Sequence, residues 1–249
     1  MAILATTAAA AACTGGGRAR ADRPHSPGTL VLSGLWIEGS PAPPGRTPLP
    51  AFALYGDGTL LFPGGTVGAL PTIRAFHLTR SAADRLYERA LDAGLATPRH
   101  YDRQAPDAGV LIVTLVSNTR RAVTRVVLPD RSDHGRRGAI ARLGSFDPRT
   151  LARKDQVRPP DTYRYTRLAV VTGGNLGAPE RAWPFSPLSR SSASADHGRC
   201  MIVTGEELRK VRDLAASASP NTLWAGDDGK YQLSFRPLLP AEAGCADLG

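Results

Sequence analysis

Two tripeptides with the same letters place a carboxylate beside an imidazole, Asp133-His134-Gly135 and Asp196-His197-Gly198. Such a pair could bind a metal ion or act as the acid–base part of a hydrolytic triad. A metal site needs a third and a fourth ligand, and a triad needs a nucleophile on a defined turn. The sequence marks neither, so it favours solvated loops here and predicts no metal site.

Other signatures of catalysis are also missing from the sequence. No Gly-x-Ser-x-Gly elbow occurs, and the glycine-rich segment 173–177 is followed by Pro179 and Pro184 where a phosphate-binding turn would need a helix. The acidic residues are too scattered to mark a pair of catalytic carboxylates. We therefore expect a non-catalytic protein without a cofactor. The alternatives are an envelope hydrolase or transferase whose site is assembled from distant residues, and a secreted protease inhibitor.

The first cysteine bears on where the chain is located. Cys13 follows a short apolar run, residues 3–12, that fits the apolar part of a secretion signal and is too short to span a bilayer. A cysteine directly after small residues is also where bacterial lipoproteins are cut and acylated. We expect export, a signal segment over residues 1–12, lipidation of Cys13 at the outer face of the cell membrane, and a flexible tether over 13–28. A secreted, soluble protein is the alternative.

The other two cysteines, Cys200 and Cys245, form an even pair in a chain that we expect to be exported. An even pair in an oxidising compartment favours one disulfide. Metal binding and free thiols are the alternatives. Only His197 lies near either cysteine, however, and two cysteines 45 positions apart do not make a zinc spacing. The sequence therefore predicts a Cys200–Cys245 disulfide.

Positive charge is concentrated in one part of the chain. The 249 residues carry 31 Lys and Arg against 22 Asp and Glu, a net charge of +9. Residues 120–167 hold 13 of these cations and 5 acids, so this stretch alone has a net charge of +8. Within it, residues 136–143 fit a short helix with Ile140 and Leu143 facing inward. The candidate anion contacts are Arg136, Arg137, Arg142 and Arg153.

An excess of arginine on one surface attracts anionic partners, and phospholipid headgroups and acidic wall polymer both qualify. The alternative is a solvated connector whose arginines bind nothing. Nucleic acid is not expected as a partner, because the chain has no recognisable helix-turn-helix, zinc or RNA-binding motif, and because export would separate it from nucleic acid.

A mixture of strands and helices must position these side chains. Helical periodicity predicts two main helices. The first runs over about 79–93, with Thr79 or Ser81 as its cap and Gly94 as its stop, and the second runs over about 204–218, with a capping box from Thr204 to Glu207. Apolar runs and turn residues predict strands over 30–38, 51–55, 59–62, 72–78, 109–116, 121–128, 163–172, 200–203, 222–225 and 230–235.

The order strand, helix, hairpin occurs twice in this series, over 72–128 and 200–235. Hairpins interspersed with helices predict an α+β fold with largely antiparallel sheet. Residues 29–249 form either a single domain or two closely packed halves, about 29–130 and 160–249, joined by the basic segment.

Several motifs resemble a group of uncharacterised actinobacterial secreted or lipid-anchored proteins. The most specific are Leu54-Tyr55-Gly56-Asp57-Gly58 and the C-terminal Arg236-Pro237-Leu238-Leu239-Pro240 ahead of Cys245. The resemblance covers about residues 30–245, and the Ser-rich loop 189–195 departs from it. It implies a cell-envelope location and the pairing of Cys200 with Cys245.

Together these features predict a binding or assembly role in the cell envelope, with the membrane as a partner through the lipid anchor.

Overall fold

The computed structural model describes residues 22–39, 47–105, 107–174, 177–188, 192–194, 198–227 and 229–248. The predicted signal segment, Cys13 and the tether up to residue 21 lie outside these residues. So do residues 175–176 of the glycine-rich segment, residues 189–191 and 195 of the Ser-rich loop, and Asp196 and His197.

The first sheet has eight strands in the spatial order β5-β7-β6-β1-β2-β3-β4-β8. Two helices, α1 (Arg80–Asp92) and α2 (Gly135–Gly144), bury their apolar side chains against one face of it. The strands are β1 (Leu30–Ile37), β2 (Phe52–Tyr55), β3 (Thr59–Val67), β4 (Leu70–Leu78), β5 (Arg99–Tyr101), β6 (Val110–Val116), β7 (Arg121–Val127) and β8 (Gln156–Thr162).

The second sheet has six strands in the spatial order β10-β13-β14-β9-β12-β11. One helix, α3 (Gly205–Ala216), packs on it through Leu208, Val211 and Ala215. The strands are β9 (Arg167–Thr172), β10 (Glu180–Ala182), β11 (Ser192–Ser194), β12 (Gly198–Thr204), β13 (Leu223–Gly226) and β14 (Gly229–Pro237).

The predicted mixture of helices and largely antiparallel strands is confirmed at the level of fold class. Neighbouring strands in both sheets are antiparallel except for β5–β7 and β10–β13. Four strands escaped the sequence analysis, three of them because they are only three residues long. The fourth, β8, contains Pro159 and Pro160, which an edge strand tolerates because one side of it makes no ladder hydrogen bonds.

Both main helices form where the periodicity predicted them, and α2 is the third helix of the described residues. Thr79 caps α1 by accepting a hydrogen bond from the Ala82 amide at 3.3 Å, and Gly94 ends the helix with φ +81°. The predicted capping box of α3 is wrong, because the Thr204 side chain makes no hydrogen bond to the helix. Gly205, the first residue of α3, has φ +56°, in the left-handed region. The backbone after Thr204 therefore departs from the usual geometry of a helix N-terminus.

The repeated strand, helix, hairpin order is matched only in outline. In each sheet the hairpin after the helix pairs with the first strand of that sheet, β6 with β1 and β14 with β9. The order departs from the prediction because β5 lies between α1 and its hairpin, and because β10 and β11 come between the paired strands β9 and β12 in the chain.

The basic stretch 120–167 is part of the first unit and not a solvated connector. It supplies β7, α2 and β8, and β8 pairs with β4 at the edge of the sheet. Ile140 and Leu143 are buried, as the sequence predicted. The chain passes to the second sheet only after Thr162.

In the described residues, the first sheet with α1 and α2 meets the second sheet with α3 at two places. At the tip of the β3–β4 hairpin, the Ala69 amide donates to the Ala215 carbonyl of α3 at 3.0 Å, and Leu70 packs in the second core. Gly68 makes this approach possible, since it adopts φ +59° and a Cβ there would lie 2.3 Å from the Ala216 oxygen.

The second contact is the segment after β14, which lies between the two sheets. Arg236 is 2% exposed and pairs with Glu242, with 2.6 Å between Nη2 and Oε1. The same guanidinium donates to the backbone oxygens of Pro48 and Pro237. Glu242 also accepts the Leu239 amide at 2.6 Å. This ion pair therefore closes the C-terminal segment into a turn against the first sheet.

The two most specific motifs of the sequence meet at this turn. Leu239 packs with Tyr55 in one buried cluster on the uncovered face of the first sheet. Burial, with a smaller contribution from Glu242, raises the pKa of the Tyr55 phenol, so Tyr55 stays neutral. Both motifs are structural in this fold.

The predicted disulfide is confirmed. Cys200 in β12 and Cys245 are bonded, with an S–S distance of 2.06 Å, and Cys200 is 1% exposed. The bond ties the C-terminal turn to β12 of the second sheet. Arg236 in β14 holds Glu242 of the same turn and donates to the Pro48 carbonyl on the side of the first sheet.

We expect Glu242→Gln to lower the free energy of unfolding by about 3 to 5 kcal/mol, because it leaves the Arg236 guanidinium buried without its counter-charge. Denaturant unfolding measures this loss. The matched control is Glu180→Gln, whose ion pair with Lys230 is half-exposed and contributes about 1 kcal/mol or less. Equal losses for the two variants would contradict the role assigned to Arg236–Glu242.

Candidate functional site

The loop between β7 and α2 gathers several arginines around one carboxylate. Asp133 accepts a hydrogen bond from Arg137 Nε at 2.6 Å and pairs with Arg103 across the loop. Asp130, three residues earlier, accepts the Ser132 amide at 2.8 Å. The loop is thus held by bonds among its own polar groups and by arginines from either side.

Arg137 is an internal support of this loop. Its side chain is 13% exposed. Besides Asp133, its Nη2 donates to the Val127 carbonyl at 2.5 Å and to the Leu128 carbonyl at 2.6 Å. The predicted outward position of Arg137 is wrong, because helical spacing does not show that the end of β7 offers it two carbonyls and the loop offers it a carboxylate.

Arg136 and Arg142 are exposed, as predicted. Arg142 Nη1 donates to the Arg131 carbonyl at 2.9 Å, which fixes α2 to the loop. The stem of Arg136 lies over the end of α1, where a Cβ added to Gly94 would be 3.1 Å from Arg136 Cδ. Both guanidinium groups stay at the surface. Contact of its stem with the end of α1 orients Arg136, and one hydrogen bond orients Arg142.

We define the α2 basic surface as the three arginines of α2, the two arginines beside them (Arg103 and Arg131), and the two carboxylates of the loop. Five arginines and two aspartates give it a net charge of 5 − 2 = +3. Its members are Arg103, Arg131, Arg136, Arg137, Arg142, Asp130 and Asp133. Arg103 was missed because it lies 17 positions before the basic stretch, and no spacing in the sequence connects it to Asp133.

Arg153 is exposed but lies at the other end of α1. The turn that carries it is bonded to the start of the helix, where the Thr79 amide donates to the Asp155 carbonyl at 2.9 Å. Arg136 contacts Gly94 at the far end. Thr79 and Gly94 stand 15 positions apart at the two ends of α1, about 22 Å along the helix axis. The predicted four-arginine face is therefore divided, and Arg153 does not belong to the α2 basic surface.

Both carboxylates of this surface are stabilised in their charged form. The hydrogen bond from Arg137 lowers the pKa of Asp133, and the hydrogen bond from the Ser132 amide lowers the pKa of Asp130. Because both pKa values are lowered, the two acids stay ionised well below neutral pH. The arginines exceed them in number, so the surface stays positive throughout that range.

A second candidate site is a polar cleft of ≈ 360 Å³ at the β4–β8 edge of the first sheet. His77 Nε2 lies 2.8 Å from Arg158 Nη2 and 3.3 Å from Asp161 Oδ1, and Arg158 pairs with Asp161 at 3.2 Å. Nε2 accepts from Arg158 when the imidazole carries its proton on Nδ1 alone, and it donates to Asp161 when Nε2 itself carries a proton. Sequence spacing does not predict this cluster, because Arg158 and Asp161 in β8 lie more than 80 positions after His77 in β4.

The cleft lacks the parts of a hydrolytic triad. Its other carboxylate, Asp57, accepts both the Thr59 amide and the Thr59 hydroxyl at 3.0 Å. The described residues that line the cleft include no serine or cysteine. Across the described part of the chain, no three His, Cys, Asp or Glu side chains are grouped as a metal site. The cleft can hold a small polar ligand, and the basic surface remains the stronger site.

The structure describes the first of the two Asp-His-Gly tripeptides in full and only the glycine of the second. In the first, Asp133 is the centre of the basic surface, while His134 is exposed and does not cap α2 with its side chain. In the second, Asp196 and His197 lie outside the described residues.

Comparisons of the chain with protein-family models, with curated proteins and with solved structures give no match. Of the helices in the described residues, none combines the length and the apolar character needed to span a membrane. The interpretation of this protein therefore depends on its own residues and their arrangement.

We expect Arg137→Ala to lower the free energy of unfolding by about 2 kcal/mol, because it removes one of the two arginines that bind Asp133 and the side-chain donor to the Val127 and Leu128 carbonyls. Arg136→Ala is the matched control and is expected to change stability by about 0.5 kcal/mol or less, since its guanidinium is exposed. Thermal or denaturant unfolding measures both. If Arg137→Ala leaves the free energy of unfolding unchanged, Arg137 is not a support of the loop.

Proposed function

We propose that the protein is an exported, lipid-anchored and non-catalytic protein of the cell envelope. In this proposal Cys13 holds the chain at the outer face of the membrane, and the α2 basic surface binds an anionic partner, either phospholipid headgroups or acidic wall polymer.

The observation that carries the proposal is the excess of positive charge that α2 and the loop before it present at fixed positions. Arg137 and Asp133 fix the loop, and Arg142 is bonded to it through the Arg131 carbonyl. Arginines held in place lose less conformational freedom on binding than mobile ones. A loop that merely solvated its charges would need no such bonds.

The disulfide supports the location. Structural disulfides persist in oxidising compartments and are rare in the reducing cytosol. Cys200–Cys245 fastens the C-terminal turn on which the junction between the two sheets depends. A fold with that dependence suits a chain that matures outside the cytosol.

The anion-binding proposal predicts that the triple variant Arg131→Gln, Arg136→Gln, Arg142→Gln binds anionic vesicles or wall fragments about 100-fold more weakly. Each arginine near an anionic surface contributes about 1 kcal/mol, and tenfold in affinity corresponds to 1.4 kcal/mol. Sedimentation of the full chain carrying Cys13→Ser measures the affinity without acylation. Raising the salt from 0.1 to 1 M shortens the Debye length from about 10 to about 3 Å and should release the wild type.

The matched control removes the same charge elsewhere, with Arg153→Gln, Lys154→Gln and Arg209→Gln. These three residues are exposed and lie off the α2 basic surface. We expect less than a threefold loss for this control. Equal losses for both triples would reject the assigned surface, and binding that ignores salt would reject the electrostatic account.

Lipidation of Cys13 is tested separately by mass spectrometry of the protein extracted from its native membrane. We expect a mature chain that begins at Cys13 and carries acyl groups, because cleavage before this cysteine is what the preceding small residues favour. A mature chain that retains residues 1–12, or an unmodified Cys13, would contradict the anchor.

A further inference from the structure

Exposed large apolar side chains are concentrated at one end of the first sheet. Trp36 and Ile37 are each 37% exposed and Leu128 is 47% exposed. Ile37 is opposite Val110, which is opposite Val127, so Ile37 and Val127 lie two strands apart, about 10 Å. Leu128 follows directly. We define Trp36, Ile37 and Leu128 as the apolar tip.

Leu128 is displayed by a backbone conformation that a branched side chain seldom adopts. Its φ is +49°. Two bonds hold it there: its amide donates to the Gly109 carbonyl at 2.8 Å, and its own carbonyl accepts from Arg137 at 2.6 Å. Such a conformation persists only where the surroundings determine it, and it points to a functional role for the displayed residue.

Trp36 is also fixed to the elements that carry the basic surface. Its indole Nε1 donates to the Gly144 carbonyl at the end of α2, at 3.2 Å. Arg137, at the other end of the same helix, holds Leu128. The apolar tip and the α2 basic surface are therefore parts of one rigid unit.

This combination distinguishes between the two anionic partners of the proposed function. A hydrophilic wall polymer gains little from exposed Leu and Ile side chains, although an indole can stack on a sugar ring. A bilayer offers phosphates to arginine and an apolar layer just beneath them, and tryptophan is favoured at that boundary. Arginine close to exposed apolar groups thus matches an anionic phospholipid surface.

We infer that the apolar tip inserts into the headgroup boundary of an anionic phospholipid bilayer while the α2 basic surface binds the phosphates. This inference rests on the proposed function and narrows its partner to lipid. It makes a second contact with the membrane besides the anchor, which fixes the orientation of the folded part.

The test compares vesicles that contain anionic phospholipid with wall fragments, using the full chain with Cys13→Ser. We expect the double variant Ile37→Ser, Leu128→Ser to lose about 30-fold in vesicle affinity, roughly five- to sixfold for each half-exposed side chain. Its binding to wall fragments should equal that of the wild type. The matched control is Val67→Ser, Val157→Ser, which removes the other exposed large apolar side chains of the described residues, and it should bind vesicles normally.

Tryptophan fluorescence supplies a measurement that needs no destabilised variant. Trp183 and Trp224 are buried, so Trp36 is the indole that can enter lipid. We expect the emission of the wild type to shift to shorter wavelength with anionic vesicles and to be quenched by brominated acyl chains. Trp36→Phe should abolish both changes.

The outcomes separate this inference from the proposal on which it rests. If the wild type binds neither vesicles nor wall fragments, the proposed function fails. If it binds wall fragments but not vesicles, or if vesicle binding ignores Ile37→Ser, Leu128→Ser and leaves Trp36 unquenched, only the lipid inference fails. Self-association in sedimentation that the double variant abolishes, with vesicle binding intact, would assign the apolar tip to a second copy of the chain and overturn the inference.

Discussion

The Arg236–Glu242 ion pair is the interaction on which the joining of the two sheets depends. A buried guanidinium costs free energy unless its donors are satisfied, and Arg236 meets that condition with Glu242 and with carbonyls from both sides of the junction. Because Glu242 also binds the Leu239 amide, the pair folds the C-terminal segment into the turn that seats Leu239 beside Tyr55. The disulfide then anchors that turn to the second sheet.

The same chemistry recurs at the surface with a different result. Arg137, like Arg236, combines a carboxylate with backbone carbonyls, and it stabilises a loop that would otherwise be a simple connection. Around this support the other arginines remain exposed and oriented. A guanidinium with five donors can brace backbone in this way, whereas lysine offers only a point charge, and this chain is rich in arginine. Its basic character thus serves the architecture as well as any partner.

The cleft at the β4–β8 edge shows why sequence spacing could not assess a site assembled from distant residues. His77, Arg158 and Asp161 come together because β8 adds to the edge of the sheet, so a site assembled from distant residues does exist. Its members satisfy one another, however, and Asp57 is occupied by Thr59. The contacts among these side chains therefore stabilise the pairing of β8 with β4 at the edge of the sheet.

The sequence by itself determined the elements whose signals are local. The Thr79 cap, the Gly94 stop, the apolar stripes of α1 and α3 and the inward Ile140 and Leu143 all follow from spacing within one helix. With Cys13 set aside as the lipidation site, the even pair that remains in a chain expected to be exported predicted the Cys200–Cys245 bond. Only the tertiary structure decided that Arg137 is a support, that Arg153 is remote from Arg136, and that Arg103 joins Asp133. The physical reason is that a charged side chain is internal or external according to the acceptors near its tip, and those acceptors come from strands that sequence spacing does not relate to it.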